Sequence, residues 1–138
     1  MAVVACVSGG MPRSFTCWYV IHNNMMYWKS RTGSEHSRAF VQNSEAGLCI
    51  YDHGASYPDD KTGVQVLGTV RQVTDRHEMQ LVLDAFADRF GERVLQKNNL
   101  DELCAPDTQS TFYACKLKQF KLVAKHLNIH MEEYEDFV

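Results

Sequence analysis

No apolar run in this chain approaches the roughly 18 residues that a membrane-spanning helix needs. The chain also lacks a basic excess, since 14 Lys and Arg stand against 17 Asp and Glu for a net charge of -3. A nucleic-acid-binding domain usually presents a basic face, so this balance argues against a nucleic-acid partner. The opening MAVVACVSGG is apolar but lacks the basic n-region of a signal peptide, which argues against a secretory signal peptide.

Cysteine pairs and nucleotide fingerprints are absent as well. The five cysteines are odd in number and widely spaced, and none belongs to a C-x-x-C pair, which argues against a disulfide framework or a zinc site. Most lie among apolar residues, where a free thiol behaves as a small hydrophobe, and a reducing cytoplasm suits them. Gly9-Gly10 and Gly33 lack the spacing of a P-loop or a dinucleotide fingerprint. We therefore expect a cytoplasmic protein without a metal site.

What the chain does contain is the composition of one globular domain. Apolar residues make up 45% of the 138 positions and charged residues 22%, which fits a folded chain and excludes a disordered one. A chain of this length buries one core. Residues 1–138 are therefore predicted to form a single domain.

The candidate chemistry lies in the stretch Met25–Val41, MMYWKSRTGSEHSRAFV. It begins like a strand, and Thr32-Gly33-Ser34-Glu35 then predicts a helix start, because a Ser or Thr hydroxyl caps free amides and Thr32 and Glu35 have capping-box spacing. Unpaired amides and the helix dipole attract an anion such as phosphate. The other interpretation is an ordinary strand-to-helix connection with a solvated basic edge. Four basic side chains rim the stretch, namely Lys29, Arg31, His36 and Arg38.

Alternation of apolar and polar residues, punctuated by turn signals, predicts about six strands. Tight turns join the first three, which indicates an antiparallel meander. Gly68 in the middle of a strand predicts a bulge. The predicted strands are Met1–Val7, Pro12–Ile21, Met25–Lys29, Gly47–Asp52, Thr62–Val73 and Ser110–Val123.

Two helices are predicted between these strands. A short one covers about Ser34–Gln42, and a long one runs from Asp75 to Phe90 between a Thr74-Asp75 cap and Gly91. The apolar residues at helical spacing predict its buried stripe, namely Leu81, Val82, Ala85, Phe86 and Phe90. The element order predicts an α+β protein, mainly β, whose small antiparallel barrel has helices covering its ends, because closure removes exposed strand edges.

In their order, these segments resemble the pyridoxamine 5′-phosphate oxidase-like family, the FMN-binding split barrels. The resemblance rests on a P-x-x-x-x-x-W-Y strand, a Y-W-K-S strand, the T-G-S-E-H-S-R helix start, and the later GVQVLGTVRQVTD and STFYACKLKQFKLV segments. It covers about Ala2–Val123, and its specificity lies in the order and spacing of the motifs. It implies a six-stranded antiparallel split β-barrel that forms a homodimer with two FMN sites at the subunit interface.

The resemblance also implies which residues contact the cofactor. Ser34 matches the serine of the family's S-x-K turn, and His36 stands where a lysine or arginine is usual. Ser14 lies where the true oxidases have a phosphate-binding arginine, with Arg13 next to it. The family's isoalloxazine contacts would fall on Phe15, Thr16 and Cys17. Lys29 and Ser30 match the flavin-contacting end of the family's third strand. The implied cofactor-binding residues are Ser14, Phe15, Thr16, Cys17, Lys29, Ser30, Ser34 and His36.

These features lead us to expect an FMN-dependent oxidoreductase with a small-molecule substrate that the sequence does not identify. Pyridoxine phosphate oxidase activity is not expected, because the arginine and tryptophan region that true oxidases use for substrate has no counterpart in the acidic tail. No side chain is named as catalytic, since the cofactor carries the chemistry. The alternative is a non-catalytic binding module on the same barrel for haem, deazaflavin or another flat cofactor. Trp18 and Trp28 would either stack on a flat ring or, as we favour, pack in the barrel or its interface.

Overall fold

The computed structural model describes residues 1–58 and 60–137, and its strands pair antiparallel in one sheet of order β2-β1-β5-β6-β7-β4-β3. Two short strands, β8 (Ile129–His130) and β9 (Glu135–Asp136), both pair with β7. The sequence predicts a loop at His53–Asp60, and its Asp59 lies outside the described residues. The seven strands of the main order are β1 (Ala2–Ser8), β2 (Met11–Cys17), β3 (Tyr19–His22), β4 (Met25–Arg31), β5 (Glu45–Tyr51), β6 (Thr62–Gln72) and β7 (Ser110–Ala124).

The predicted strand Pro12–Ile21 is two strands in the structure, which raises the strand number above the predicted six. β2 ends at Cys17 and β3 begins at Tyr19, and these two strands lie at opposite edges of the sheet. Only Trp18 separates them in the chain, so the sheet must curl until its edges approach each other. The hydrogen-bonded order itself stays open between β2 and β3. Side-chain alternation could not reveal this break, because it does not report which strand is the partner.

Four α-helices flank the sheet in the described part of the chain, and no helix there is long and apolar enough to cross a membrane. The predicted starts of the first two are confirmed, since Ser34 caps α1 and Asp75 caps α2 through side-chain bonds to backbone amides. The predicted capping box is wrong, because the Thr32 hydroxyl donates instead to the Thr108 carbonyl at 2.9 Å. The helices are α1 (Glu35–Gln42), α2 (Arg76–Phe90), α3 (Arg93–Lys97) and α4 (Leu100–Leu103).

Strand β4 separates two hydrophobic clusters. Met26 and Trp28 belong to the cluster that includes Phe40 of α1. Tyr27 belongs to the cluster that includes Phe86 of α2. Successive residues of a strand point to opposite faces, so β4 contributes to both sides of the structure.

The buried stripe of α2 is only partly the predicted one. Val82 and Phe86 are buried as predicted, but Leu81 is 43% exposed. Met79 and Leu83 are buried in the same cluster. Helical spacing alone leaves the orientation of a helix open when apolar residues occupy most of its circumference.

Gly68 marks the predicted irregularity in β6, where the register against β7 shifts between Leu67 and Gly68. A Cβ atom at Gly68 would lie 2.5 Å from the Lys116 carbonyl oxygen and 2.6 Å from the Cys115 sulfur. A side chain therefore does not fit between β6 and β7 at this position.

Candidate functional site

The end of β4 extends beyond its neighbour β3. The pairing of β3 with β4 stops at Tyr19 and Trp28, so Lys29–Arg31 continue along β7 without β3 beside them. The chain reaches the start of β3 from β2 through Trp18, and β2 pairs with β1 and with no second strand among the described residues. The end of β4, the free edge of β2 and the start of α1 therefore border one gap in the barrel.

His36 lies at this gap and is held by two contacts. Its ring stacks on Phe15 of β2, with centroids 3.8 Å apart and planes 15° from parallel. Its Nε2 lies 2.6 Å from the Ser30 hydroxyl of β4, which in turn lies 3.5 Å from the Ser34 hydroxyl. The structure thus brings together four of the predicted cofactor residues, from three different elements, and we call them the α1-start cluster: Phe15, Ser30, Ser34 and His36.

The helix cap uses the Ser34 hydroxyl. Its oxygen accepts the Ser37 amide at 3.3 Å, while the Ser34 amide donates to the Arg31 carbonyl at 3.2 Å. The first turn of a helix has four amides without intrahelical partners, and these bonds satisfy two of them. For the other two, at Glu35 and His36, the structure shows no acceptor among the described residues. These two amides are available to an anion.

Arg13 supplies a cation to the α1-start cluster that the sequence prediction did not assign. Its Nε donates to Glu35 Oε1 at 3.1 Å, and both side chains are about half exposed. Alternation along β2 places Arg13 on the face of Phe15 and places Ser14 and Thr16 on the other. This alternation was the signal that could have favoured Arg13 over Ser14.

Ser14 and Thr16 are exposed on the outer face of β2, away from the α1-start cluster. Their cofactor contacts stay predictions, and they require a ligand on that outer face. Cys17 lies on the inner face and is buried. Burial raises the pKa of its thiol to about 12, so the thiol is protonated at neutral pH and is a poor nucleophile.

The protonation state of His36 follows from its surroundings. Burial lowers the pKa of its imidazole below the usual 6.5, and the nearby Glu35 carboxylate opposes that shift. His36 is therefore mainly neutral at pH 7. A neutral imidazole has one N–H donor, and an anion beside it would favour the doubly protonated ring.

Lys29 is next to Ser30 in sequence but lies on the opposite face of β4. Its Nζ donates to Asn98 Oδ1 at 2.6 Å, close to the α2 side of the sheet. Burial lowers the pKa of the Lys29 amine, and the Glu102 carboxylate opposes that shift. The structure therefore separates Lys29 from the α1-start cluster, and its contact with flavin stays a prediction.

The two tryptophans have different environments. Trp28 is fully buried, as favoured from the sequence, whereas Trp18 is 60% exposed. The rings of Phe15 and Phe40 lie 6.1 Å from Trp28, so Trp28 forms part of the floor beneath the α1-start cluster. Its buried Nε1 has no acceptor among the described residues.

A family model described as pyridoxamine 5′-phosphate oxidase matches residues 1–119. The chain belongs to the pyridoxamine 5′-phosphate oxidase family. This confirms the resemblance based on the order of the motifs. No curated protein matches the chain in sequence.

Solved structures with the same fold agree with this assignment. A conserved hypothetical protein from Mycobacterium tuberculosis is similar with a TM-score of 0.74 and 15% identity, over 96% of this chain and 82% of that one. The heme storage protein HutZ from Vibrio cholerae gives 0.71 and 16%, over 90% and 84%. A FAD-binding protein from Mesorhizobium loti gives 0.64 and 17%, over 86% and 81%. At these identities the likeness establishes the split-barrel fold.

The donors at the start of α1 fit an anionic group such as a phosphate. The start of α1 carries two free amides and the His36 imidazole, and Arg13 is bonded to Glu35 in its first turn. These are the kinds of donor that bind phosphate in proteins. The Glu35 carboxylate would repel an anion, but its bond to Arg13 reduces that repulsion. The first turn of α1 therefore offers donors that could hold an anionic group of a cofactor.

Proposed function

We propose that this protein binds FMN and acts as an oxidoreductase on a small-molecule substrate, as one subunit of a homodimer. The observation that carries the proposal is the α1-start cluster, where a stacked and hydrogen-bonded histidine adjoins free helix amides in a member of this family. A bound flavin supplies hydride or electron transfer, and the protein supplies binding and orientation.

Each residue of the cluster has a separate part in holding the phosphate. The amides of Glu35 and His36 donate to phosphate oxygens, as at other helix N-termini. Phe15 and Ser30 restrict the His36 ring, so little side-chain entropy is lost when it binds. Arg13 adds positive charge once it exchanges Glu35 for phosphate. Ser34 acts through the helix, because its hydroxyl maintains the cap.

The flat part of the cofactor is assigned to the outer face of β2. Ser14 and Thr16 are exposed there, and β2 offers backbone groups on the edge that no described strand covers. A second copy of the chain would cover this face and exclude water from the flavin. This arrangement supports the proposed homodimer with cofactor sites at its interface.

Titration of FMN fluorescence with the purified protein tests the proposal. We expect saturable quenching, and His36→Ala should weaken binding by about 1–3 kcal/mol, the usual range for a lost hydrogen bond to an anion. His77→Ala is the matched control, because His77 is also the second residue of a helix, in α2, and is exposed. A flat titration at tens of micromolar would exclude FMN binding, and equal effects of the two variants would remove His36 from the site.

Haem is the second candidate, favoured by the fold shared with a heme storage protein and by an imidazole at the gap. Haem carboxylates would occupy the same helix amides, and neutral His36 could ligate iron. The absorption spectrum of the protein as purified separates the two cofactors. A Soret band that His36→Ala removes would decide for haem, whereas flavin bands would decide against it. Mass spectrometry of the released molecule would distinguish FMN from a deazaflavin.

A further inference from the structure

Two clefts meet on the α2 side of the sheet, opposite the α1-start cluster. One is mainly apolar and about 320 Å³ in volume, and the other is more polar and about 330 Å³. Lys29 and Asn98 line both, so the clefts are adjacent and share a polar junction. Ligand sites usually combine an apolar body with a few placed polar groups, and the junction provides that combination.

Aromatic side chains form a continuous wall of the apolar cleft. Trp18 packs edge-on against Phe90, with centroids 5.5 Å apart, and Phe90 lies 5.5 Å from Phe86. Phe86 in turn lies 5.1 Å from Phe112. The outer members remain open to solvent, Trp18 at 60% and Phe90 at 37%. The protein thus leaves large apolar surface exposed at one place, which is typical of a binding site.

The outer part of this wall is held in position before any ligand arrives. Arg89 donates from Nη1 to the Tyr19 carbonyl at 2.6 Å. Its guanidinium also lies over the rings of Tyr19, at 4.4 Å, and Phe90, at 5.1 Å. These contacts join the end of α2 to β3 next to Trp18. A preorganised wall loses little conformational entropy when a flat molecule stacks on it.

Lys29 provides the charge at the junction. Its Nζ donates to Asn98 at 2.6 Å, and Asn98 is anchored because its Nδ2 donates to the Val94 carbonyl at 2.6 Å. Lys29 is exposed as a whole residue, but partial burial of its amine lowers its pKa. Glu102 lies on the polar side and compensates only in part. An ammonium has three N–H donors, so Lys29 can donate to an anion at the junction while it keeps its bond to Asn98.

We propose that this double cleft binds a planar aromatic carboxylate, with its ring against Trp18, Phe90 and Phe86 and its carboxylate on Lys29. The assignment of this ligand class as the substrate rests on the proposed function, whereas binding itself does not. Lys29 and Ser30 are neighbours on opposite faces of β4, so a ligand here and a cofactor at α1 would lie on two sides of one strand end.

Fluorine NMR titration of the purified protein tests this inference with a matched pair of probes, para-(trifluoromethyl)benzoate and para-(trifluoromethyl)benzyl alcohol. We expect the carboxylate to bind about tenfold more tightly, as for one charged hydrogen bond. Lys29→Met should abolish that preference without weakening the binding of the alcohol. Phe90→Ala should weaken both probes, and Lys116→Met, at an exposed lysine of β7, should change neither. Unfolding curves confirm that each variant is folded.

Equal affinities for the two probes, or an unchanged preference in Lys29→Met, would overturn the inference. Displacement of the carboxylate by one equivalent of FMN would also overturn it, because the cleft would then be the flavin site. FMN binding without probe binding would remove this inference and leave the proposed function intact. Probe binding by a protein that takes up no FMN would overturn the substrate assignment.

Discussion

The two faces of β4 differ in what they present at the same end of one strand. The even-numbered face runs from Met26 and Trp28 in the core to Ser30 beside His36. The odd-numbered face runs from Tyr27 in the other core to Lys29 in the aromatic cleft. One face ends in small hydroxyls and a neutral imidazole, and the other ends in a cation beside apolar rings.

If both proposals hold, one strand supports two different binding chemistries. Alternation usually separates a core from solvent, but the first part of β4 is buried on both faces, and only its end is accessible. Because β3 stops opposite Trp28, each face of that end opens onto its own cavity or gap. The buried part of β4 would supply rigidity to both proposed sites.

The largest expected effect is a loss of stability when the buried tryptophan of β4 is removed. Trp28→Ala removes a fully buried ring from beneath the α1-start cluster, and we expect it to lower the free energy of unfolding by about 3–5 kcal/mol. Urea unfolding measures this loss. Trp18→Ala, at the exposed tryptophan, should cost less than about 1 kcal/mol and weaken only the probe of the aromatic cleft. Comparable losses of stability in the two variants would contradict the different burial of the two tryptophans.

The caps of α1 and α2, on opposite sides of the sheet, allow a second comparison with a smaller expected change in stability. Ser34→Ala and Asp75→Ala each remove a side-chain cap, from α1 and α2 respectively, and each should cost about 1 kcal/mol of stability. Only Ser34→Ala should also weaken the binding of FMN, because only α1 begins at the proposed phosphate site. Fluorescence titration alongside unfolding gives both quantities. Weaker FMN binding in Asp75→Ala would mean that general destabilisation, and not the α1 cap, determines affinity.

The smallest expected effect is a pH dependence confined to the His36 face. Burial lowers the pKa of His36, so the folded protein binds fewer protons than the unfolded chain. The contribution of neutral His36 to stability is therefore present above about pH 6.5 and is lost as the pH falls below it, through the lowered folded value. A bound phosphate would instead raise the pKa of His36, because it favours the charged ring.

Relative to His36→Gln, the affinity of the wild-type protein for FMN should therefore rise between about pH 7.5 and 5.5, by less than about tenfold. The ratio to the variant is needed because the phosphate group itself titrates near pH 6. Titrations at three pH values measure it. For the aromatic carboxylate, the ratio of wild-type to variant affinity should not change with pH. A constant ratio for FMN would show that His36 does not contact the phosphate.

The features that could be predicted from the sequence are those with local causes. Ser34 and Asp75 cap their helices through bonds that span three residues, and Gly91 ends α2 with a positive φ of 90°. The irregularity at Gly68 was predictable because a glycine inside an alternating strand often marks a bulge or the close approach of another backbone. The order of such local signals was enough to indicate the family.

The features that were predicted wrongly from the sequence depend on contacts with residues far along the chain. The break at Trp18 follows from β2 and β3 having different neighbours. Thr32 has the spacing of a capping box but bonds to Thr108, and Leu81 has helical spacing but faces solvent. In each case the local pattern allowed two outcomes, and packing against a distant segment selected one.

The sequence by itself determined that this chain is mainly β and that a helix starts at Ser34, because strand alternation and helix capping act over a few residues. Only the tertiary structure decided what surrounds that start. It joined Arg13 to Glu35 across 22 positions and Lys29 to Asn98 across 69. It also placed Lys29 and Ser30 on opposite faces of β4. Such contacts depend on how the sheet curls, and the curl is set by the packing of the whole chain.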